Sequence, residues 1–298
     1  MGHLDGKKIA FLVAPEGIEQ VELTEPWQAV EGAGGSPVLV STAEGEVQAL
    51  TRKAASCIGR IVRPGIVSAP TIVTQDIEGG VVVEKVRNLE PGHGLNAANG
   101  EWAGKMHNDL LDAVDWAVEH GITADDKVAI MGGSYGGYAA LAGVAFTPEV
   151  YAAAVSIVGP SNLLTLLDSI PPYWAAGRKM FYERMGDPTT PEGKKQLEQQ
   201  SPLFSADKIK TPLFVVQGAN DPRVKKAESD QIVVALRDRK FPVEYMVAPD
   251  EGHGFSRPVN NMAMYAAVEK FLAKHLGGRF QESMTPEVAA RLKEIMVD

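Results

Sequence analysis

Lys127-Val128-Ala129-Ile130-Met131, then Gly132-Gly133-Ser134-Tyr135-Gly136-Gly137, then the alanine-rich run Tyr138 to Phe146, is the stretch that decides the fold. The first piece reads as a buried strand, the glycine-rich piece as a tight turn, and the last as a buried helix. A G-x-S-x-G pattern at a strand-to-helix junction has a physical meaning. The serine occupies a sharp turn with unfavourable backbone dihedrals, and small flanking residues avoid clashes where strand and helix approach. The hydroxyl is thereby presented at a helix N-terminus. Ser134 is the candidate nucleophile; the competing use of the same residues is a structural turn.

A serine hydroxyl is a weak nucleophile, so a base and an orienting acid are expected from loops that follow later strands, in the order Ser, Asp, His. The predicted strand Leu213 to Gln217 runs into Gly218-Ala219-Asn220-Asp221-Pro222-Arg223-Val224. The predicted strand Val243 to Val247 leads to Asp250-Glu251-Gly252-His253-Gly254-Phe255. Both loops lie at carboxyl ends of strands, where ligands bind in open α/β sheets. His253, flanked by glycines, is the candidate base, whereas His120 and His275 sit at helix ends and suit the helix dipole. Asp221 is the preferred acid. Asp250 is its rival and reads equally well as a turn former.

Working outward, strand and helix alternate to the end of the chain, with a further strand at Ala152 to Val158 and helices at Lys225 to Asp238 and Asn260 to Leu276. Such alternation predicts an α/β fold with a mostly parallel sheet covered by helices on both faces. Residues 159–210 form an insertion between two of these strands, containing Pro171-Pro172-Tyr173-Trp174 and a helix start at Thr190-Pro191-Glu192. Thr285-Pro286-Glu287 starts a terminal docking helix. Upstream, Lys8 to Ala14, Ile18 to Ala33 and Pro37 to Ser41 read as one β-α-β unit. Residues 43–94 form an irregular, β-rich connection with short pieces at Ile61 to Val67, Thr71 to Thr74 and Val81 to Val86.

Composition narrows the function classes. The 298 residues are 45% hydrophobic and 22% charged, as expected of a globular body. Lys plus Arg number 29 against 38 Asp plus Glu, a formal net charge of −9, which disfavours nucleic-acid binding. One cysteine, Cys57, excludes an intrachain disulfide and a multi-thiolate metal site, so neither a metal nor another cofactor is expected and a reducing, cytoplasmic setting is. No run approaches the roughly 18 apolar residues that cross a bilayer, so no membrane partner is expected. Oligomeric state is left open, a homo-oligomer included.

From about Leu95 onward the chain resembles the catalytic domain of the prolyl oligopeptidase (S9) family, which has the α/β-hydrolase fold. The resemblance is carried by Asn99-Gly100-Glu101-Trp102, Asp109 to Trp116, Gly132 to Tyr138, Val158-Gly159-Pro160-Ser161-Asn162, Gly218 to Val224 and Glu251 to Pro258. It implies Ser134 as nucleophile, Asp221 as acid and His253 as base, in agreement with their spacing and strand positions. It also implies that Arg223 lies near the substrate.

Lys8 to Ser41, with Gly17 to Leu23 and Glu25-Pro26-Trp27, resembles the opening β-α-β unit of the DJ-1/PfpI superfamily. That superfamily's later cysteine elbow has no counterpart around Cys57. The front strands are therefore expected to join the hydrolase sheet, making residues 1–298 one composite domain: 1–42 the DJ-1/PfpI-like segment, 43–94 the connection, and 95–298 the S9-like catalytic part.

Two departures from the S9 pattern shape the functional expectation. The β-propeller that precedes the catalytic domain in the family has no match in the residues before position 95, and peptide gating is expected to be lost with it. The usual His-Gly-Gly-Pro stretch and the oxyanion tyrosine are also missing, with Gly92-His93-Gly94 found instead. The backbone N–H of Tyr135 is one oxyanion donor candidate, and His93 or an N–H within Pro15 to Ile18 the second. Tyr135, Tyr173, Trp174, Phe181 and Tyr182 suggest an apolar acyl pocket or, equally, packing of the insertion on the sheet. The resulting expectation is a serine esterase acting on small or medium carboxylic esters through an acyl-enzyme. The alternatives are an S9-type peptidase or aminopeptidase, and a DJ-1-like stress or chaperone protein.

Overall fold

The computed structural model describes residues 8–13, 16–41, 48–50, 71–76, 79–84, 99–119, 121, 123–170, 173 and 177–297. Its strands are β1 (Lys8–Val13), β2 (Glu16–Glu19), β3 (Ser36–Ser41), β4 (Gln48–Leu50), β5 (Thr71–Asp76), β6 (Gly79–Glu84), β7 (Val128–Gly133), β8 (Ala153–Ile157), β9 (Leu213–Gly218) and β10 (Val243–Ala248). The helices are α1 (Gln20–Gly32), α2 (Lys105–Glu119), α3 (Tyr135–Phe146), α4 (Leu163–Asp168), α5 (Arg178–Met185), α6 (Pro191–Gln199), α7 (Lys226–Asp238), α8 (Pro258–Leu276) and α9 (Pro286–Ile295).

One eight-stranded sheet runs in the order β10-β9-β8-β7-β5-β6-β1-β3. The β7-β8-β9-β10 block is parallel throughout. Successive residues of its strands serve opposite faces, as a period of two requires. Ile130 and Val215 join Leu110, Leu141 and Ile232 in one core, whereas Ala129, Phe214 and Val216 join Met264, Val268 and Phe271 in the other. Helices α2, α3 and α7 thus cover one face, and α8 with α9 the other. Each fully buried Leu, Ile or Phe contributes about 1.5–3 kcal/mol of transfer free energy, so the two-faced core is the main support of this block. Together these features are the α/β-hydrolase architecture, with its parallel sheet and its helices on both faces.

The antiparallel exception is β5, which pairs in that sense with both β6 and β7. At the far end β1 pairs parallel with β6 and with β3, so the front strands extend the main sheet. The helix expected from Ile18 begins instead at Gln20, because Glu16–Glu19 pairs in parallel with Gln48–Leu50 as a separate two-stranded sheet. The expected strand Ile61 to Val67 lies outside the described residues.

The caps foreseen in the sequence form locally. Thr190 Oγ1 accepts from Gly193 N–H at 3.0 Å ahead of α6, and Thr285 Oγ1 accepts from Val288 N–H at 3.3 Å ahead of α9, each with proline as the first helical residue. Helix α9 then delivers Met296 and Val297 to the outer edge of β10. There Val297 N–H donates to the Tyr245 carbonyl at 2.9 Å, and Arg237 Nη2 donates to the Val297 carbonyl at 2.9 Å. Among the described residues no helix is long and apolar enough to cross a membrane.

Candidate active site

The carboxyl ends of β7, β9 and β10 meet at one place on the sheet edge. The turn after β7 puts Ser134 at φ 57°, ψ −116°, a left-handed conformation that costs a non-glycine residue on the order of 1–3 kcal/mol. Neighbouring glycines make this turn possible. A β-carbon on Gly132 would stand 2.6 Å from the Gly136 carbonyl oxygen, and one on Gly137 would stand 2.7 Å from that of Ile157. The turn is pinned from β8, since Ser134 N–H donates to the Ile157 carbonyl at 2.8 Å. Ser134 is also the N-cap of α3, yet its hydroxyl makes no capping bond. It lies instead 2.9 Å from His253 Nε2.

Asp221 stands in the loop after β9, and its side chain is fully buried. Its Oδ1 accepts from the N–H groups of Arg223 at 2.8 Å and Val224 at 2.9 Å, the local turn that aspartate favours. Its Oδ2 lies 2.7 Å from His253 Nδ1. A carboxylate only accepts, so Nδ1 carries the proton and Nε2 keeps a lone pair toward the Ser134 hydroxyl. The Asp221 loop is closed by Gln217, buried on β9, whose Nε2 donates to the carbonyls of Gly218 and Val224 at 3.0 Å each while its Oε1 accepts from Ser229 Oγ at 2.8 Å.

The rival acid is directed elsewhere. Asp250 forms ion pairs with Arg291 and, at 3.2 Å, with Arg257, and accepts from Asn260 Nδ2 at 3.1 Å. Partial burial acts to raise its carboxyl, but the Asn260 amide and the two guanidiniums outweigh this and hold it below the ordinary range.

Beneath the elbow lies an aromatic cluster. Trp102 meets the Tyr135 ring edge-on at 4.8 Å between centroids and the Tyr138 ring at 4.9 Å. Burial, helped by Asp109, pushes the Tyr135 hydroxyl well above its ordinary pKa, so it stays protonated. Tyr138 Oη donates to the Gln200 carbonyl at 2.7 Å and ties the elbow helix to the insertion. Phe181 and Tyr182 are packed against the core, while Tyr173 is 64% exposed. Arg223 is exposed at the mouth of the Asp221 loop. His93, Trp174 and Cys57 lie outside the described residues.

Two buried glutamates received no role from the sequence: Glu228 lies in no motif, and Glu251 lies in the quoted stretch around His253. Glu228 on α7 accepts from the backbone N–H groups of Ser161 at 3.1 Å and Asn162 at 2.9 Å, and from Thr165 Oγ1, so it holds the chain as it leaves β8. Glu251 occupies a comparable place in the His253 loop. The partners of Glu228 lie far away in sequence, so only the folded chain reveals its setting.

Residues 94–279 match the prolyl oligopeptidase family of peptidases. The dipeptidyl aminopeptidase BIII of Pseudoxanthomonas mexicana is 63% identical over 184 residues, covering 62% of this chain and 27% of that protein. Dipeptidyl peptidase family member 6 of Caenorhabditis elegans is 52% identical over 187 residues, covering 62% of this chain and 25% of that protein. A puromycin-hydrolyzing peptidase of Mycobacterium tuberculosis superimposes with a TM-score of 0.58 at 28% identity, over 66% of this chain and 30% of its own. The chain thus spans about a quarter of the length of these two curated relatives. These likenesses overturn the expectation of a carboxylic ester hydrolase, because the relatives carry peptidase names and favour the peptidase alternative. The matched residues 94–279 take in all three loops of the site, and the chain belongs to the prolyl oligopeptidase family.

Proposed function

We propose that this chain is the catalytic part of a serine peptidase that cleaves short peptides behind an amino-terminal dipeptide. The observation that carries the reading is the continuous Asp221, His253, Ser134 relay, with contacts of 2.7 and 2.9 Å, in a chain 63% identical over that region to a dipeptidyl aminopeptidase.

In this reading Ser134 Oγ attacks the scissile carbonyl carbon while His253 Nε2 takes the hydroxyl proton. The tetrahedral oxyanion collapses, the C–N bond breaks, and His253 returns the proton to the departing amine, leaving an acyl-enzyme. Water repeats the sequence and releases the acid. Asp221 keeps Nδ1 protonated and stabilises the imidazolium. The Tyr135 N–H, at the first turn of α3, has no intrahelical acceptor and supports the role of oxyanion donor, reinforced by the helix dipole. Arg223 borders the relay and suits recognition of a substrate carbonyl, and Tyr173 suits an outer aromatic contact.

The front segment acts as sheet, in this proposal, and not as a DJ-1-like site. Its parallel β1 and β3 around α1 support a DJ-1/PfpI-like unit absorbed into one composite domain. The single cysteine in the sequence supports a reducing, cytoplasmic setting.

The test is a comparison of dipeptidyl with single aminoacyl p-nitroanilides, using the protein and its Ser134→Ala variant. Turnover of the dipeptidyl substrate that disappears in the variant is expected. Hydrolysis confined to single aminoacyl substrates, or unaffected by the substitution, refutes the proposal.

A further inference from the structure

His253 rides on a loop whose start is tied to its exit by two neighbouring carboxylates, the half-exposed Asp250 and the buried Glu251. Glu251 is only 2% exposed, and each of its partners is a donor. Oε2 accepts from Ser256 N–H at 3.0 Å and Ser256 Oγ at 3.1 Å. Oε1 accepts from Arg257 N–H at 2.8 Å and Asn260 Nδ2 at 2.8 Å. Four donors on two oxygens fill the acceptor sites of an ionised carboxylate, and such charge-assisted bonds are about twice as strong as neutral ones. The main chain of the same residue faces the acid loop, where its carbonyl accepts from Asn220 N–H at 2.9 Å. Glu251 therefore joins the start of the base loop to its exit and to the N-terminal turn of α8, and also touches the loop that carries Asp221.

Within this loop the chain itself has little stiffness. His253 is flanked by Gly252 and Gly254, and Gly254 sits at φ 99° with open space where a β-carbon would stand. Glycines leave backbone freedom that something else must remove. The hydrogen bonds to Ser256, Asn260 and Arg257 overcome the opposing effect of burial and hold the Glu251 carboxyl below its ordinary range, so the group is an anion at neutral pH.

We propose that Glu251 is a positioning residue for His253: its acceptor-only carboxylate fixes the 251–257 loop in the arrangement that delivers Nε2 to Ser134 Oγ. It makes no bond to the three relay side chains and acts through the loop. For its substrate this inference rests on the peptidase reading, but its primary measurement does not.

The test is Glu251→Gln, which keeps size and shape but turns an NH2 group toward donors whichever way the amide is placed. The primary readout is the rate constant for labelling of Ser134 by a fluorophosphonate, which reports the serine and imidazole pair without reference to any peptide. A folded Glu251→Gln protein is expected to label about 10- to 100-fold more slowly, the scale of a small misplacement of a reacting group. On a dipeptidyl p-nitroanilide kcat should fall by a similar factor while KM stays within about threefold, since the substrate-contacting groups are untouched. Ser256→Ala, at an exposed position, removes one of the four donors and should give a smaller loss of about two- to fivefold; it decides the matter if the glutamine variant does not fold. Labelling at the wild-type rate in folded Glu251→Gln, or in Ser256→Ala when the former does not fold, overturns the proposal, as does a loss confined to KM. A wild-type protein that labels but cleaves no dipeptidyl substrate defeats the peptidase reading alone, and the labelling rates still decide the role of Glu251.

Discussion

Gly218 and Gly252 are in backbone contact: a β-carbon on Gly218 would collide with the Gly252 carbonyl oxygen and stand 2.8 Å from that of Glu251. The last residue of β9 and the residue before His253 therefore set the spacing between the acid loop and the base loop. Gly218→Ala should force these loops apart. The expected outcome is a destabilisation of about 1–3 kcal/mol, the usual range for overpacking, with a loss of activity per folded molecule of at least about tenfold. Urea unfolding and active-site labelling measure the two effects separately. An alanine variant with wild-type labelling would show that the relay tolerates a wider gap.

The elbow serine offers a direct trade between strain and chemistry. Both Ser134→Ala and Ser134→Gly should lower turnover by at least about 10^4-fold, because nucleophile and base act as a unit. Their stabilities should differ. At φ 57°, ψ −116° alanine keeps the strain that glycine relieves, so Ser134→Gly is expected to melt above Ser134→Ala by an amount equivalent to about 1 kcal/mol. Thermal unfolding of the pair tests this, and an alanine variant that melts higher would contradict it.

Asp221→Asn and Asp250→Asn should separate the two carboxylates near His253. The amide at 221 can present a donor to Nδ1 and favour the wrong tautomer, with an expected loss in kcat of about 10^3- to 10^4-fold. The change at 250 weakens the attachment of Arg291 and Arg257 and should cost stability while leaving kcat within about tenfold. Steady-state rates of both variants, normalised to folded protein, give the comparison. A larger loss at 250 would transfer the acid role to Asp250.

Glu251 and Glu228 should respond to pH in opposite senses. Glu251 titrates lower in the folded chain, so its contribution to stability is present above the ordinary glutamate value of about 4.3 and is lost as pH falls through the folded value. Glu228 titrates higher because burial outweighs its hydrogen bonds. Its contribution is complete below about pH 4.3 and is lost as pH rises through the folded value. Urea midpoints across about pH 3 to 7 should therefore show the wild type losing ground to Glu251→Gln on acidification and gaining ground on Glu228→Gln. Parallel pH dependence in all three proteins would exclude this assignment.

Much of the site was legible because its signals are local. The strand, turn and helix around Ser134 are contiguous, and Asp221 and His253 each follow a strand whose apolar run ends in a turn sequence. The front strands were legible for a similar reason, since Lys8 to Val13 and Pro37 to Ser41 are short, nearly continuous apolar runs in the sequence itself. What escaped notice depends on distance in sequence. Gly137 is required by its approach to Gly159 and to the Ile157 carbonyl, and Glu228 by Ser161 and Asn162 on another element. Nothing in the local pattern around either residue announces its partner. The preference for esters failed for a different reason: attack by serine with imidazole proton transfer serves esters and amides alike, so the three relay residues carry no information about the leaving group.

The attachment of Met296 and Val297 beside β10 has a consequence for how this molecule meets others. An outermost strand with free N–H and C=O groups is a template for a strand of another chain. At Tyr245 that valence is already taken by Val297, and Arg237 holds the occupant in place. The short bridge between Met246 and Met296 runs antiparallel, against the direction of the strands it borders. The tail of helix α9 thereby caps this part of the sheet edge with the chain's own residues.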